Sequence, residues 1–406
     1  MTARVEERAP RTGWLLAAAI VLVAANLRPA VVGVAPLLSE IQVSEGLSAT
    51  AAGVLTALPV LCFGLLAPAA PRLSRRFGIE RTLLLALVVL CVGFAVRTLS
   101  PVAALFVGTV VAGSAIAIGN VLLPGLIKRD FPHRTGVMTG LYTMAISAGG
   151  GLAAGITVPV AQAAGLDWRA ALGTWGVFAA LAAVCWLPQA RRAGRPVAVR
   201  GPGVGGLWRQ PLAWQVTGLM GFQSFGFYAS TAWLPAVFVD RGHDPVAAGW
   251  LLSLASIVGV GGSMAAPVLA TRLPRQRLLA AGIAVLAALG LLGVLLVPGA
   301  EIVSMVLLGA AQGAALGLSL TLMALRSPDA AHAAQLSGMA QSVGYLVAAV
   351  GPFAVGALHD LTGAWTVPFL LLFAALAVQG TAGVLAGRDK VLRSSTPAER
   401  DVAPVA

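Results

Sequence analysis

Residues 14–34 read WLLAAAIVLVAANLRPAVVGV, an apolar run that contains Asn26, Arg28 and Pro29. A helix needs about 20 mostly apolar residues to cross the hydrocarbon core of a bilayer, and this run has that length. Placing an arginine inside such a segment costs at least about 2.5–3.5 kcal/mol. The stretch therefore predicts a membrane-spanning helix in which Arg28 lies in a wet cavity or beside a partner.

The composition of the whole chain agrees with a membrane protein. Of its 406 residues, 58% are hydrophobic and only 10% are charged, and 48 are glycine. Long apolar runs without strand-like alternation predict helices and not a barrel. The net charge of +12 does not indicate nucleic acid as a partner, because the basic residues lie in short loops between apolar runs. We therefore expect an all-α integral membrane protein with the lipid bilayer as its surroundings.

The apolar runs number twelve, which predicts twelve transmembrane helices. Six fall in each half of the chain. Their predicted spans are Trp14–Val34, Ala49–Ala70, Thr82–Val96, Val102–Ile127, Gly136–Val160 and Trp168–Pro188, then Leu212–Val239, Pro245–Thr271, Leu278–Val297, Ile302–Leu325, Gln335–Leu358 and Trp365–Ala386.

The distribution of basic residues predicts the orientation. With both termini in the cytoplasm, all but four of the 27 Lys and Arg fall on the cytoplasmic side. Arg97, Arg169 and Arg241 then lie outside, which leaves Arg28 as the one basic residue within a span. The outer loop after the first span holds Glu40 and Glu45, and residues 71–81 form a basic turn inside. The first span is interpreted as a retained helix and not a signal peptide, so we expect a multi-pass protein of the cell (inner or plasma) membrane.

A polar interruption divides the chain into two similar parts. We predict an N-terminal six-helix bundle at 1–188, a cytoplasmic linker at 189–210, a C-terminal six-helix bundle at 211–387 and a cytoplasmic tail at 388–406. Residues 139–168 align weakly with residues 337–365, which is typical of a parallel repeat of two bundles. Gly149, Gly150, Gly151 and Gly155 are expected to let a neighbouring helix approach the fifth span closely.

The residues offer no catalytic or metal site. The three cysteines stand singly in different apolar runs, and the histidines lie in loops. No HExxH, paired carboxylates or ligand cluster occurs within a span. We therefore expect neither an enzyme nor a metal or other cofactor, and a membrane enzyme or non-transporting sensor is the disfavoured alternative.

Polar side chains at the middle depth of the spans predict a substrate site instead. At about 1.5 Å per residue, Arg28 lies about 21 Å from Trp14, near the membrane centre, where transporters bind substrates between two halves. The predicted substrate-binding residues are Asn26, Arg28, Asn120, Tyr142, Gln223, Tyr228, Gln312, Gln341 and Tyr345. The alternatives are a structural role for Arg28 and interhelical hydrogen bonds for Asn120 and Gln312.

With its two halves and the basic turn, the chain resembles the major facilitator superfamily. Arg76-Phe77-Gly78 and Arg81 match the signature loop of that superfamily, while Pro71 and Arg75 replace its glycine and aspartate. Four further stretches are similar to the cyanate and 2-nitroimidazole transporter family: Asn26-Leu27-Arg28-Pro29; Gly119 to Pro124 with Lys128 to Pro132; Gln223-Ser224 with Phe227-Tyr228 and Trp233-Leu234-Pro235; and Leu336 to Ser342 with Gly344-Tyr345.

The resemblance implies a secondary transporter of small polar or anionic molecules, by import or export. In this hypothesis Arg28 engages the negative end of the substrate, while Gln223, Tyr228, Gln341 and Tyr345 close the other side. A multidrug exporter of the same superfamily is the alternative, although the absence of an embedded acid disfavours it. We expect the protein to act as a monomer.

Overall fold

A computed structural model describes residues 13–131, 134–192, 206–273, 275–328 and 330–393, which are helical with short connections and contain no β-strand. The first-half helices are α1 (Gly13–Ala25), α2 (Pro29–Val32), α3 (Leu38–Glu45), α4 (Ala49–Leu66), α5 (Ala69–Phe77), α6 (Ile79–Arg97), α7 (Val102–Asp130), α8 (Thr135–Ala164) and α9 (Trp168–Arg192). The second-half helices are α10 (Pro211–Asp240), α11 (Pro245–Arg272), α12 (Arg277–Leu296), α13 (Glu301–Leu325), α14 (Ala330–Thr362) and α15 (Thr366–Ala386).

The predicted all-helical membrane fold is confirmed. Within the described residues, eleven helical segments are long and apolar enough to cross a membrane, and the first of them runs from Gly13 to Glu45. The remaining predicted span is α10, a 30-residue helix. It is less apolar than the others because Gln223, Ser224, Ser230 and Thr231 lie within it, and all four are buried by protein.

The helices form two bundles that meet along two pairs of helices. In the first bundle α7 packs between α4 and α6, and α9 packs on α6. In the second, α11 and α12 pack on α13, while α10 and α12 pack on α15. Between the bundles, α4 contacts α14 and α8 contacts α11. One hydrophobic cluster joins the halves where these pairs converge, around Leu37, Trp233 and Phe238.

The first span differs from the prediction. Instead of one helix from Trp14 to about Val34, α1 ends at Ala25, residues 26–28 form a turn, and α2 begins at Pro29. Proline fits the first helical position because its missing N–H has no helical partner there. The chain continues through a 3₁₀ turn into α3, so Glu40 and Glu45, predicted in a loop, lie on a helix.

Residues 71–81 also differ from the prediction. The predicted basic turn is largely the helix α5, which ends at Phe77 and is joined to α6 by Gly78. Its last turn carries Arg75 and Arg76, and cations are favourable at this end of a helix because of the helix dipole.

The prediction that Arg97 lies in an outer loop is wrong. It is the last residue of α6 and its exposed fraction is 0%. Its Nε donates a hydrogen bond to the Thr109 hydroxyl (3.1 Å), and Nη1 donates to the Ala30 carbonyl (2.8 Å). The interrupted first span supplies this acceptor, which hydropathy alone does not reveal. Arg28 is therefore not the sole deeply placed cation.

Candidate functional site

A cavity of about 790 Å³, part of it open to solvent, lies where the two bundles meet. Its wall combines the α1–α2 turn and α8 from the first half with α10, α11, α13 and α14 from the second. The polar side chains in the wall are Arg28, Thr143, Ser147, Gln223, Ser224, Tyr228, Thr231, Ser256, Ser263, Gln312 and Tyr345. Among the described residues of the wall, Arg28 alone is charged. The cavity suits one small anionic or hydrogen-bonding molecule.

Arg28 presents its guanidinium to this cavity from the turn between α1 and α2. The backbone carbonyl of Arg28 accepts hydrogen bonds from Val31 N (3.0 Å) and Val32 N (2.9 Å), which fixes the start of α2. The guanidinium carbon lies 4.7 Å from the ring centroid of Phe227 and 5.9 Å from that of Tyr228. The guanidinium forms no hydrogen bond or ion pair with any residue in the described ranges. Its N–H donors are therefore available to a ligand.

Close packing of α8 holds the turn in place. A Cβ on Gly149 would lie 2.0 Å from the carbonyl oxygen of Ala25, the last residue of α1, so only glycine allows this approach. The next residue, Gly150, faces the Cβ of Arg28, which would be 3.3 Å from an added methyl group. The predicted role of these glycines as a close-packing surface is thus seen in the structure.

Aromatic rings of α10 and α14 form another part of the wall. Tyr228 of α10 and Tyr345 of α14 have ring centroids 6.4 Å apart, and Phe63 of α4 lies 6.3 and 5.6 Å from them. Edge-to-face packing of this kind stabilises the relative positions of the rings. Because Phe63 belongs to the first half and both tyrosines to the second, the cluster spans the bundle interface beside Arg28.

Two glutamine side chains add neutral hydrogen-bonding groups. Gln223 is buried, and its Nε2 donates to the Ser224 hydroxyl (2.7 Å), which leaves the amide oxygen available as an acceptor. Gln312 of α13 makes no hydrogen bond with another described residue and lines the same cavity. The site thus combines one cation with amides, hydroxyls and aromatic faces.

The passage between the bundles is closed at one end. There Asp360, near the end of α14, accepts hydrogen bonds from the backbone N–H groups of Ala49 (2.9 Å) and Thr50 (2.6 Å) at the start of α4. Near the same end, Gly249 of α11 packs against the backbone of α8. Toward the other end Gly140 continues the cavity-facing side of α8, and no atom of the described residues lies within 4 Å of where its Cβ would be. The two bundles are therefore in direct contact at the end that holds Asp360.

Five of the nine predicted binding residues line this cavity: Arg28, Gln223, Tyr228, Gln312 and Tyr345. The other four do not. Asn26 is buried and its Nδ2 donates to the Leu22 carbonyl (2.9 Å) one helical turn earlier. Gln341 donates to the Ser337 hydroxyl (2.8 Å), also one turn earlier. Asn120 lies half-buried on α7, and Tyr142 packs in the hydrophobic cluster that includes Tyr228 and Tyr345.

Sequence reasoning missed several lining residues. Phe227 follows Gln223 by one helical turn and supports the Arg28 guanidinium, so the helical period from Gln223 could have identified it. Gln379 of α15, which lines a smaller neighbouring pocket and not this cavity, was also missed, although it is the polar residue of an otherwise apolar helix face. Within the described part of the chain, no group of three or more His, Cys, Asp or Glu side chains could hold a metal ion.

Comparison with known proteins defines the class of protein. The profile of the Major Facilitator Superfamily matches residues 14–352, so the chain belongs to this superfamily of membrane transporters and is not an enzyme. A crystal structure of the D-xylose-proton symporter has the same fold, with a TM-score of 0.70 at 17% identity over 93% of this chain and 97% of the symporter.

Relatives place the chain more closely within the superfamily. It is 44% identical to the uncharacterized transporter YycB of Bacillus subtilis over 94% of this chain and 95% of that protein. It is 41% identical to the 2-nitroimidazole transporter of Escherichia coli (93% and 97% covered) and 30% identical to the cyanate transport protein CynX of Escherichia coli (89% and 94%). The chain therefore belongs to the cyanate and 2-nitroimidazole transporter family.

Proposed function

We propose that this protein is a secondary transporter that moves a small polar or anionic compound, similar to cyanate or a nitroimidazole, by alternating access. The observation that carries the proposal is the Arg28 guanidinium, which faces the cavity between the bundles and has no acidic partner among the described residues. A cation without a counter-charge attracts an anion or an electron-rich group such as a nitro group. The names of the relatives, which mention cyanate and 2-nitroimidazole, support the same substrate class.

Each side of the cavity has a role in this proposal. Arg28 engages the negative end of the substrate, and Phe227 and Tyr228 hold the guanidinium in place. Gln223 and Tyr345 provide hydrogen bonds on the side of the second bundle. Rocking of the two bundles about this site would expose it to either side of the membrane in turn.

The orientation of the protein follows from its basic loops. We propose that residues 1–188 and 211–387 act as two rigid bundles joined by a cytoplasmic linker, with the tail from residue 388 also in the cytoplasm. The positive-inside rule then places the closed end, with Asp360 and Ala49, outside the cell membrane. We propose that the structure represents an inward-facing state, because the bundles are in contact at this outer end. We propose that one copy of the chain forms the complete transport path.

The role of Arg28 can be tested with purified protein in proteoliposomes. Arg28→Ala should weaken binding of cyanate or 2-nitroimidazole by at least about tenfold, because a hydrogen bond to a charged group contributes roughly 1.5–3 kcal/mol. Arg75→Ala, on the exposed helix α5, is the matched control and should bind and transport normally. Unchanged affinity and transport in folded Arg28→Ala protein would contradict the proposal.

A ligand panel identifies the substrate class directly. Thermal unfolding is measured with cyanate, 2-nitroimidazole, planar carboxylates and lipophilic cations, since a ligand that binds the folded state raises its apparent stability. We expect stabilisation by the anions or the nitroimidazole. Stabilisation by lipophilic cations alone would instead support a multidrug exporter.

A further inference from the structure

A second pocket opens beside the central cavity, inside the second bundle. It has about 390 Å³ of empty space, part of it open, and lies among α10, α12, α13 and α15. Gln223, Phe227 and Gln312 line both the pocket and the cavity. Phe227, whose ring centroid lies 4.7 Å from the Arg28 guanidinium carbon, is therefore shared by the cation site and the pocket. We call this space the side pocket.

Gln379 is the unexplained polar group of the side pocket. It lies on α15 one turn after Leu376 and two turns after Leu372, and all three residues line the pocket. Its side chain is 7% exposed and makes no hydrogen bond with any other described residue. Its amide atoms are not fully enclosed by protein, so its donor and acceptor are available to a ligand group or a water molecule in the side pocket.

The rest of the side pocket determines what that group is. Four of its lining residues are polar: Gln223, Gln312, Ser230 and Gln379. The others are apolar: Phe222, Gly226, Phe227, Ala287, Leu291, Leu308, Ala311, Ala315, Leu372 and Leu376. The described lining has no charged side chain. Such a pocket favours the neutral, flat part of a molecule and pairs its polar edge with amides.

We infer that the side pocket is a specificity subsite of the transporter. It would accept the far edge of a planar organic monoanion whose anionic group lies at Arg28 and whose far edge carries a neutral hydrogen-bonding group paired with Gln379. This inference rests on the proposed function and adds the substrate class: planar ring compounds with a charged end and a hydrogen-bonding end. In this arrangement Arg28 binds the anionic group of the substrate, Phe227 contacts its ring, and Gln379 bonds to the substituent at its far edge.

Benzoate and 4-hydroxybenzoate test the subsite because they differ only by a hydroxyl opposite the carboxylate. Binding is measured on the purified full chain by calorimetry. In the unchanged protein the hydroxylated acid should bind roughly tenfold more tightly, as expected for one additional well-formed hydrogen bond. Gln379→Leu should abolish this preference while benzoate affinity stays within about twofold.

Controls separate this inference from the proposed function. Gln162→Leu makes the same chemical change at an exposed position of α8 and should keep the preference. Gln379→Met replaces the leucine variant if that variant is unstable. Arg28→Ala should weaken the binding of both acids equally. If it weakens the binding of neither acid, the proposed function is wrong. A hydroxyl preference that persists without Gln379, or that is absent from the unchanged protein, overturns the subsite alone. If neither acid binds, the subsite inference is also wrong. The proposed function is then tested separately by the binding of cyanate and 2-nitroimidazole.

Discussion

At the scale of single residues, Arg97 stabilises the backbone that presents Arg28. Its guanidinium donates to the Ala30 carbonyl, two residues beyond Arg28, and to Thr109 of α7. The interrupted first span leaves the Ala30 carbonyl inside the protein and dependent on this donor. We propose that Arg97 is a positioning residue, which holds the α1–α2 turn and thereby the side chain of Arg28.

Arg97→Met should lower the free energy of unfolding by about 1–3 kcal/mol, because it leaves a buried carbonyl without its donor. Ligand affinity should fall as well, since the turn that holds Arg28 loses a contact. Thr109→Val removes only the hydroxyl partner and should have a smaller effect on both quantities. Thermal unfolding and calorimetry measure them. An Arg97→Met protein with unchanged stability and affinity would show that the contact does not position Arg28.

At the scale of helices, the approach of α8 to α1 determines where Arg28 lies. Gly149→Ala would place a methyl group 2.0 Å from the Ala25 carbonyl oxygen and force the helices apart. We expect a loss of about 1–3 kcal/mol in stability, typical of overpacking, and weaker substrate binding.

Gly140→Ala is the matched control on the same helix, because none of the atoms in the described ranges lies within 4 Å of the added Cβ. Alanine has a higher helix propensity than glycine, so this variant should be neutral or slightly more stable. The two variants are compared by thermal unfolding and by ligand titration. Equal effects would mean that the close α1–α8 contact is unimportant.

The positions of side chains along and around the helices show how much of the site can be predicted from the sequence. Depth along a helix follows from counting residues, which is why Arg28, Gln223, Tyr228, Gln312 and Tyr345 were selected and do line the cavity. The direction of a side chain around the helix does not follow in the same way, because helices surrounded by lipid and protein are apolar on all sides.

Asn26 and Gln341 illustrate this limit, since both have the predicted depth but bond within their own helices. Gln379 shows the opposite error: it lies on the last span, away from every polar cluster in the sequence, and only the packing of four helices reveals its pocket. The binding roles of all nine selected residues stay predictions.

At the scale of the whole molecule, hydropathy predicted twelve helices and two bundles, because the bilayer restricts a spanning chain to a few solutions. Arg97 shows where charge counting fails: a basic residue at a span end was assigned to the outer loop, although an internal carbonyl binds it. The contact between α4 and α14 could not be predicted, because Asp360 and Ala49 are 311 residues apart and no local pattern connects them.

The closed end depends on Asp360, which binds the first backbone N–H groups of α4 across the bundle interface and also accepts from the Thr50 hydroxyl (2.5 Å). A carboxylate at a helix N-terminus is favourable because of the unpaired N–H groups and the helix dipole there. Opening this end requires these bonds to break. Asp360→Ala should therefore shift the population toward the state open at this end, by about fivefold or more if the contact contributes 1 kcal/mol or more.

Spin labels at Val43 and Leu361, both exposed near this end on opposite bundles, report the separation. After replacement of the three native cysteines, Asp360→Ala should add a population with a longer distance between the labels. Asp167→Ala is the control, because Asp167 accepts from Ala170 N (2.9 Å) at the start of α9, a cap of the same kind within one bundle. It should leave the distances unchanged. A longer distance in both variants, or in neither, would show that the Asp360 contact does not hold the bundles together.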